Sequence, residues 1–246
     1  MAATGIRYLD PNTTPMKTHS PSRFSRLILP AFLVLLTPGV AVPDAPKVTE
    51  DGLTQVAKSK ADLVYVRSGV SFAGYKKLML IEPTIAFRKN WQTDQKFQTP
   101  SNPVTDADMA KMIETGKQVL VEEFGEALTK AGYTFVAERG ADVLAIKPQI
   151  LELDIAVPDP DNSIGSYKKV YTDDAGEATM VIELYDSVTG QLLARAFDRT
   201  TADYNSFNRR TERTQQTNLQ DAHYVTREWA RMLVKGLERA KAAKTP

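Results

Sequence analysis

Residues 176–200 read GEATMVIELYDSVTGQLLARAFDRT, which is two runs of alternating apolar and polar residues around a turn. The turn Ser187–Gly190 fits a hairpin loop in which Gly190 takes the left-handed position. The register that follows places Leu184 opposite Ala194 and Ile182 opposite Ala196 on one face of the hairpin. On the other face, the opposed pairs are Val181 with Phe197, Tyr185 with Leu193 and Glu183 with Arg195. A slip of one residue would oppose Ile182 with Arg195, so both the apolar and the charged matches would be lost. The stretch therefore predicts an antiparallel hairpin whose two faces differ in chemistry.

The second of these faces is a candidate contact surface. It carries aromatic, aliphatic and charged side chains, namely Val181, Glu183, Tyr185, Leu193, Arg195, Phe197 and Arg199. Aromatic and arginine residues are enriched among those that dominate binding energy at interfaces. Three interpretations stay open: the face binds a partner or a second copy, residues 53–75 fold back and cover it, or it is solvated.

The clearest helix begins after Thr105, whose hydroxyl can cap the first turn. Apolar residues then recur at spacings of three and four up to Leu128, and Gly132 ends the helix. Met109 and Met112 belong to this stripe, and we interpret them as core filler rather than as part of a ligand site.

A second long helix is predicted from about Asn218 to Lys241. Its apolar stripe consists of Ala222, Val225, Trp229, Met232, Leu233 and Leu237. We expect both helices to dock on the hairpin face that carries Ile182, Leu184, Ala194 and Ala196, because the alanines leave room for a helix backbone. Trp229 is one of the bulky residues available to fill the space between them.

The rest of the chain predicts further strands and one loop. The strands are Leu63–Val66, Lys76–Arg88 with an edge position or a break at Pro83, Tyr133–Ala137, and Asp142–Val157 with a bulge near Ile150, where the apolar parity changes. Asn90–Val104 is expected to be a loop. The fold class is therefore α+β, a single domain with an antiparallel-leaning sheet of about five strands and two long helices on one face.

The amino terminus has the pattern of an export leader. Leu27–Leu36 is apolar apart from one proline, basic residues precede it, and Gly39 and Ala41 follow at the spacing of a cleavage site. We expect translation to start at Met16, a signal peptide over 16–41, a tether over 42–60 and the domain over 61–243. The expected location is the periplasm or envelope of a Gram-negative-type bacterium, with membrane association only if the leader is uncleaved.

Composition excludes several kinds of chemistry. The chain has 246 residues, a formal net charge of +1, no cysteine and two histidines. A balanced charge gives no basic footprint for nucleic acid, and the lack of cysteine excludes disulfides and thiolate ligands. No motif of a nucleotide-binding loop, nucleophile elbow or zinc protease occurs.

Three weaker patterns remain. Asp159–Gly165 resembles a calcium loop, but its glycine is misplaced and the twelfth position lacks a glutamate. Glu152 and Asp154 share strand parity and could converge as an acid/base pair, and His223 beside Asp221 is interpreted as a surface pair. We assign no catalytic residue, no metal and no cofactor.

Several blocks resemble one bacterial family. They are the run 61–80, ADLVYVRSGVSFAGYKKLML, the hairpin around Asp186–Gly190, and the Trp229-Ala-Arg segment of the last helix. Together they resemble domain of unknown function 3313, a family of uncharacterised envelope lipoproteins, over about residues 53–240. The resemblance supplies no activity and no catalytic residue. This sequence departs from the family because no cysteine lies around Leu36–Ala41, which favours a soluble periplasmic product.

Two functional hypotheses follow. The first is a non-catalytic binding or assembly module of the envelope, including an accessory to a transport or secretion complex, whose partner is an unknown envelope protein or a second copy. The alternative is a hydrolase that uses carboxylates of the sheet. A deep pocket with converging acids would favour the hydrolase, and a flat amphipathic sheet face would favour the binding module.

Overall fold

The computed structural model describes residues 45–98, 103–156, 171–172, 176–201 and 211–242. The strands are β1 Leu53–Gln55, β2 Leu63–Arg67, β3 Lys77–Leu80, β4 Thr84–Phe87, β5 Thr134–Phe135, β6 Val143–Ile155, β7 Tyr171–Thr172, β8 Gly176–Asp186, β9 Leu192–Thr201 and β10 Thr211–Glu212. The helices are α1 Trp91–Gln98, α2 Asp106–Lys130 and α3 Gln215–Ala242. The predicted leader lies outside these residues. Within them, no helix is long and apolar enough to cross a bilayer.

The main sheet has eight strands in the described residues and is mixed. Its order is β1-β2-β9-β8-β6-β3-β5, and β4 also pairs with β6. The neighbouring strands in the part β1-β2-β9-β8-β6 of this order are antiparallel. β3 pairs in parallel with β6 and with β5, and β4 pairs in parallel with β6. The α+β class is confirmed, but the predicted five strands and two helices are too few. Strands of two or three residues such as β1 and β5 are too short to show a period in the sequence.

α2 and α3 pack side by side on one face of the sheet. The core between them includes Phe124, Leu128, Trp229, Leu233 and Leu237, packed against the apolar face of the central strands. Ile182, Leu184 and Ala194 belong to this core, as expected. Thr105 caps α2 through a reciprocal box with Asp108. α3 begins at Gln215, three residues before the predicted start at Asn218.

The hairpin register is confirmed along most of its length. β8 and β9 pair from Glu177 with Thr201 to Leu184 with Ala194, and Gly190 has a φ of 70°. Next to the turn the register shifts, so that Tyr185 pairs with Leu192 and not with Leu193. The predicted pairing of Tyr185 is therefore wrong, because the bulge lies in β9 and not only in the loop.

The predicted bulge in the long strand β6 exists, but it lies beyond Ile150. The register against β8 shifts between Leu151 and Asp154, and Glu152 has a φ of 54°. Ile150 and Leu153 both pack with the core, so the apolar parity does change. The break predicted at Pro83 also exists, because Pro83 lies between the end of β3 and the start of β4.

Two segments differ from the expectations. Trp91–Gln98, predicted as part of a loop, forms α1, which is anchored by the buried Trp91 stacked on Phe87 at 4.4 Å between ring centroids. A short helix with so few buried side chains has no apolar stripe, so the sequence pattern does not indicate a helix. Leu53–Gln55, inside the stretch 42–60 predicted as a tether, forms the edge strand β1, and Leu53 is 0% exposed.

Candidate functional site

The predicted contact surface is only partly accessible. Its members divide into three groups: buried Val181, Glu183 and Leu193; half-buried Tyr185, Arg195 and Phe197; and exposed Arg199. Leu193 packs with the helix-side core because of the bulge in β9. Residues 53–55 and 63–67 do not fold back over this face, since β1 and β2 extend the sheet beside β9.

Hydrogen bonds and ion pairs tie together the polar groups of this face. We call Glu183, Arg195, Tyr185, Gln149 and Asp51 the sheet-side cluster. Arg195 Nε donates to Glu183 Oε1 at 2.8 Å, and Tyr185 Oη and Gln149 Nε2 donate to Glu183 Oε2 at 2.7 and 3.1 Å. The other side of Arg195 pairs with Asp51 at 2.7 Å. Burial, followed by the hydrogen bond to Glu183, raises the pKa of Tyr185. Glu183 is therefore held in place by three hydrogen-bonding partners.

A cavity of about 390 Å³, which we call the groove, lies on the opposite face. The amino-terminal halves of α2 and α3 flank it, and the ends of β4, β6, β8 and β9 form its floor. The groove is lined mainly by apolar side chains: Ile85, Met112, Val119, Ile150, Leu153, Ile155, Ala178, Leu219, Ala222, Val225 and Trp229. This size and lining are typical of sites for small ligands.

The groove changes the interpretation of Met112. Met112 is half-buried and lies on the groove wall, and Met109 is half-buried on the same helix. The core-filler interpretation is wrong for Met112, because the two helices leave a cavity at their amino-terminal halves. Small residues on both flanking helices, Gly116 on α2 and Ala222 on α3, were the feature of the sequence that could have indicated it.

The groove wall also carries carboxylates, each of which has an arginine partner. These pairs are Arg88 with Asp154 at 2.7 Å, Arg199 with Glu177, and Arg213 with Asp221 at 2.5 Å. Burial raises the pKa of Asp221, and the hydrogen bond from Arg213 opposes that shift. The acids are thus neutralised by neighbouring cations.

The structure does not bring Glu152 and Asp154 together as an acid/base pair. Glu152 is exposed on the bulge and is not part of the groove wall, whereas Asp154 lines the groove and binds Arg88. Strict alternation would have placed both carboxylates on one face, but the left-handed Glu152 interrupts that alternation.

His223 does not pair with Asp221, contrary to the sequence-based interpretation. His223 Nδ1 lies 2.9 Å from Glu123 Oε1 on α2, and Arg227 binds the same carboxylate through Nε and Nη2 at 2.8 and 2.7 Å. The Glu123 side chain is only 4% exposed. The hydrogen bond from Arg227, opposed by burial and assisted by His223, lowers the pKa of Glu123. These residues join the two helices just beyond the groove.

Metal binding finds no support in the described ranges. They contain no group of three or more histidine, cysteine, aspartate or glutamate residues that could hold an ion. The calcium-like stretch 159–165 lies outside them.

The fold and these sites define an α+β domain with an apolar ligand-sized groove and ion-paired carboxylates. Residues 45–233 match the model of the family described as protein of unknown function (DUF3313). The chain belongs to that family, which confirms the resemblance of its sequence blocks. No curated protein matches it.

Several solved structures are similar at low sequence identity. A Xanthomonas campestris protein of the family DUF330 is 10% identical, with a TM-score of 0.36 over 75% of this chain and 96% of that one. The PelC dodecamer from Paraburkholderia phytofirmans is 9% identical, with a TM-score of 0.33 over 69% and 95%. A minor lipoprotein from Acinetobacter baumannii is 16% identical, with a TM-score of 0.30 over 66% and 94%.

Proposed function

We propose that this protein is a non-catalytic binding or assembly module of the bacterial envelope. The observation that carries the proposal is the pairing of the carboxylates at both candidate sites with arginines, beside a groove whose lining is mainly apolar. A general acid or base needs a proton that can move at the operating pH. The carboxylates at these sites are occupied by ion pairs and hydrogen bonds with arginine, so these sites suit binding better than proton transfer.

Export is part of this proposal. The leader pattern that ends in Gly39-Val40-Ala41 supports cleavage after Ala41. Mass spectrometry of the protein from the periplasmic fraction is expected to give Val42 as its first residue. A terminus at Met1 or Met16 would contradict cleavage at this site.

The accessible part of the predicted contact surface is the proposed meeting point with another envelope protein or a second copy. Arg199 is exposed there, and Phe197 is half-buried, with its ring edge-on to Tyr65 at 6.4 Å between centroids. Arginine and aromatic residues at a polar rim suit such a contact.

Crosslinking in cells tests this contact surface. A photo-crosslinking amino acid at Arg199 is expected to give a discrete adduct, and the same residue at the exposed Glu114 on α2 is the matched control. An adduct from both positions would indicate nonspecific contact. An adduct from neither would contradict the proposed surface.

The hydrolase remains a second candidate because Asp221 is a half-buried carboxyl of raised pKa on the groove wall. A raised pKa is what a general acid requires. Purified protein can be assayed against ester, peptide and glycoside substrates, with Asp221→Asn as the variant. Activity that disappears in Asp221→Asn would replace the binding proposal with the hydrolase.

A further inference from the structure

The side chains that line the groove range from exposed to buried. Lys111 and Leu219 are exposed, whereas Val119, Ile150 and Trp229 are buried. A ligand with one polar end and one apolar end would therefore enter in a single orientation. Its apolar part would displace water from around the buried side chains, and its polar part would stay hydrated.

The apolar part of the walls is chiefly aliphatic. Ile85, Leu153 and Val225 contribute branched side chains, and Met112 contributes a thioether that adapts to irregular shapes. Trp229 supplies the aromatic ring of the wall, and its indole N–H is already bonded to Asp198 at 2.8 Å. The aliphatic part of these walls offers no hydrogen bonds and suits a chain of methylene groups.

The volume separates an acyl chain from a peptide helix. About 390 Å³ lies near the lower end of the roughly 300–1,000 Å³ range of small-ligand pockets. A docked amphipathic helix buries several turns along a long open groove, whereas a cavity of about 390 Å³ has the size of a small-ligand site.

We propose that the groove binds the acyl chain of a fatty acid or a membrane lipid, with the polar end beside the exposed Lys111. This inference rests on the proposed binding function and names its ligand class. The paired carboxylates of the wall are compatible with an apolar neighbour, because their arginine partners compensate for the water that the chain displaces.

Chain length gives the first test. Saturated fatty acids of eight to sixteen carbons can compete for the protein, as purified from cells, with a fluorescent fatty acid. Each buried methylene is expected to tighten binding about fourfold, until the chain outgrows the cavity and the gain stops. Affinity that is absent, or independent of chain length, would overturn the proposal.

A matched pair of variants locates the site. Ala222→Phe places a ring in the groove wall, whereas Ala110→Phe makes the same change at an exposed position of α2 outside the groove. Ala222→Phe is expected to weaken dodecanoate binding at least tenfold, and Ala110→Phe is expected to leave it unchanged. Unchanged binding by a folded Ala222→Phe, as judged by circular dichroism, would overturn the proposal.

Photolabelling of the unmodified protein covers the case in which Ala222→Phe does not fold. A diazirine fatty acid is expected to label peptides of α2 around Met112 and of α3 around Val225, and labelling confined to other peptides would overturn the proposal. Labelling by the free diazirine fatty acid, without labelling from phospholipid vesicles, would identify the ligand as a fatty acid. Labelling by a diazirine phospholipid in vesicles would identify the ligand as a membrane lipid. Crosslinking from Arg199 that persists without acyl binding would leave the proposed function intact and reject this ligand.

Discussion

Replacing Trp229 by alanine tests whether α3 is docked as described. The indole is 3% exposed, packs in the core between the helices and the sheet, and forms part of the groove wall. Its Nε1 donates to Asp198 Oδ2 at 2.8 Å, so the ring both fills space and satisfies a carboxylate of β9. The variant removes both contributions.

The structure sets the expected magnitude. Removing a fully buried tryptophan side chain costs about 3–5 kcal/mol. One side of Trp229 already faces the groove, so fewer packing contacts are lost and the packing cost falls near the lower limit. The hydrogen bond adds about 1 kcal/mol, because Asp198 is half-buried and water can replace part of it. We therefore expect Trp229→Ala to lose about 4 kcal/mol in the free energy of unfolding.

Trp229→Phe separates the two contributions and adds a pH dependence. Burial raises the pKa of Asp198, and the indole hydrogen bond lowers it, so removing the donor raises the pKa further. A carboxyl whose folded pKa exceeds its unfolded value loses stability as the pH rises through the folded pKa. The penalty of Trp229→Phe should therefore be larger at pH 7 than at pH 4.

Urea titration, monitored by circular dichroism at both pH values, measures these losses. The wild type and Trp229→Phe provide the references for the alanine variant. A loss under about 1 kcal/mol for Trp229→Ala, the size of an ordinary surface change, would refute the docking of α3 through this ring. A penalty for Trp229→Phe that is independent of pH would refute the coupling to Asp198.

Three further substitutions test other parts of the fold. The pKa of Glu123 is lowered, so the stability from its ion pairs is present above its unfolded pKa of about 4.3 and is lost as the pH falls through the folded value. Glu123→Gln should cost about 2 kcal/mol at pH 7 and less at pH 3, and equal urea-titration losses would contradict this. Gly176→Ala should cost about 3 kcal/mol or more, because its Cβ would lie 1.9 Å from the carbonyl oxygen of Asp154 at a φ of 127°. Gly74→Ala is the control and should be nearly neutral by thermal unfolding, because the space around Gly74 is open. Phe197→Ser is expected to weaken crosslinking from the proposed contact surface while circular dichroism stays native; loss of the fold would instead make this ring structural, and no change in either would reject both roles.

The sequence predicts local pairing better than it predicts irregularities. The hairpin register follows from matches such as Glu183 with Arg195, which is confirmed as a pair with 2.8 Å contacts. Thr105 and Gly132 fix the ends of α2 through local chemistry, which is why its bounds are predicted closely. The position of the bulge in β9 depends on packing under the helices, and the sequence near Leu193 gives no independent sign of it.

Contacts between distant segments are harder to predict. Glu123 and Arg227 are 104 positions apart, and neither has a neighbour in sequence that identifies the other as its partner. The groove was missed for a related reason. The stripe that includes Met112 has the same spacing whether its helix packs tightly or stands away from the next helix. Only the relative placement of α2 and α3 distinguishes a core from a cavity.

The irregular end of β6 gives the groove its character. Continued alternation from Ile150 would turn Glu152 toward the helices, but the bulge places Leu153 there and leaves Glu152 exposed. Gly176 makes the bulge possible, because no side chain fits against the Asp154 carbonyl oxygen. Two costly backbone features, a non-glycine residue at positive φ and a glycine in close contact with the Asp154 carbonyl oxygen, thus keep Glu152 out of the groove. Strain of this kind clusters at functional sites, which supports the proposed binding role of the groove.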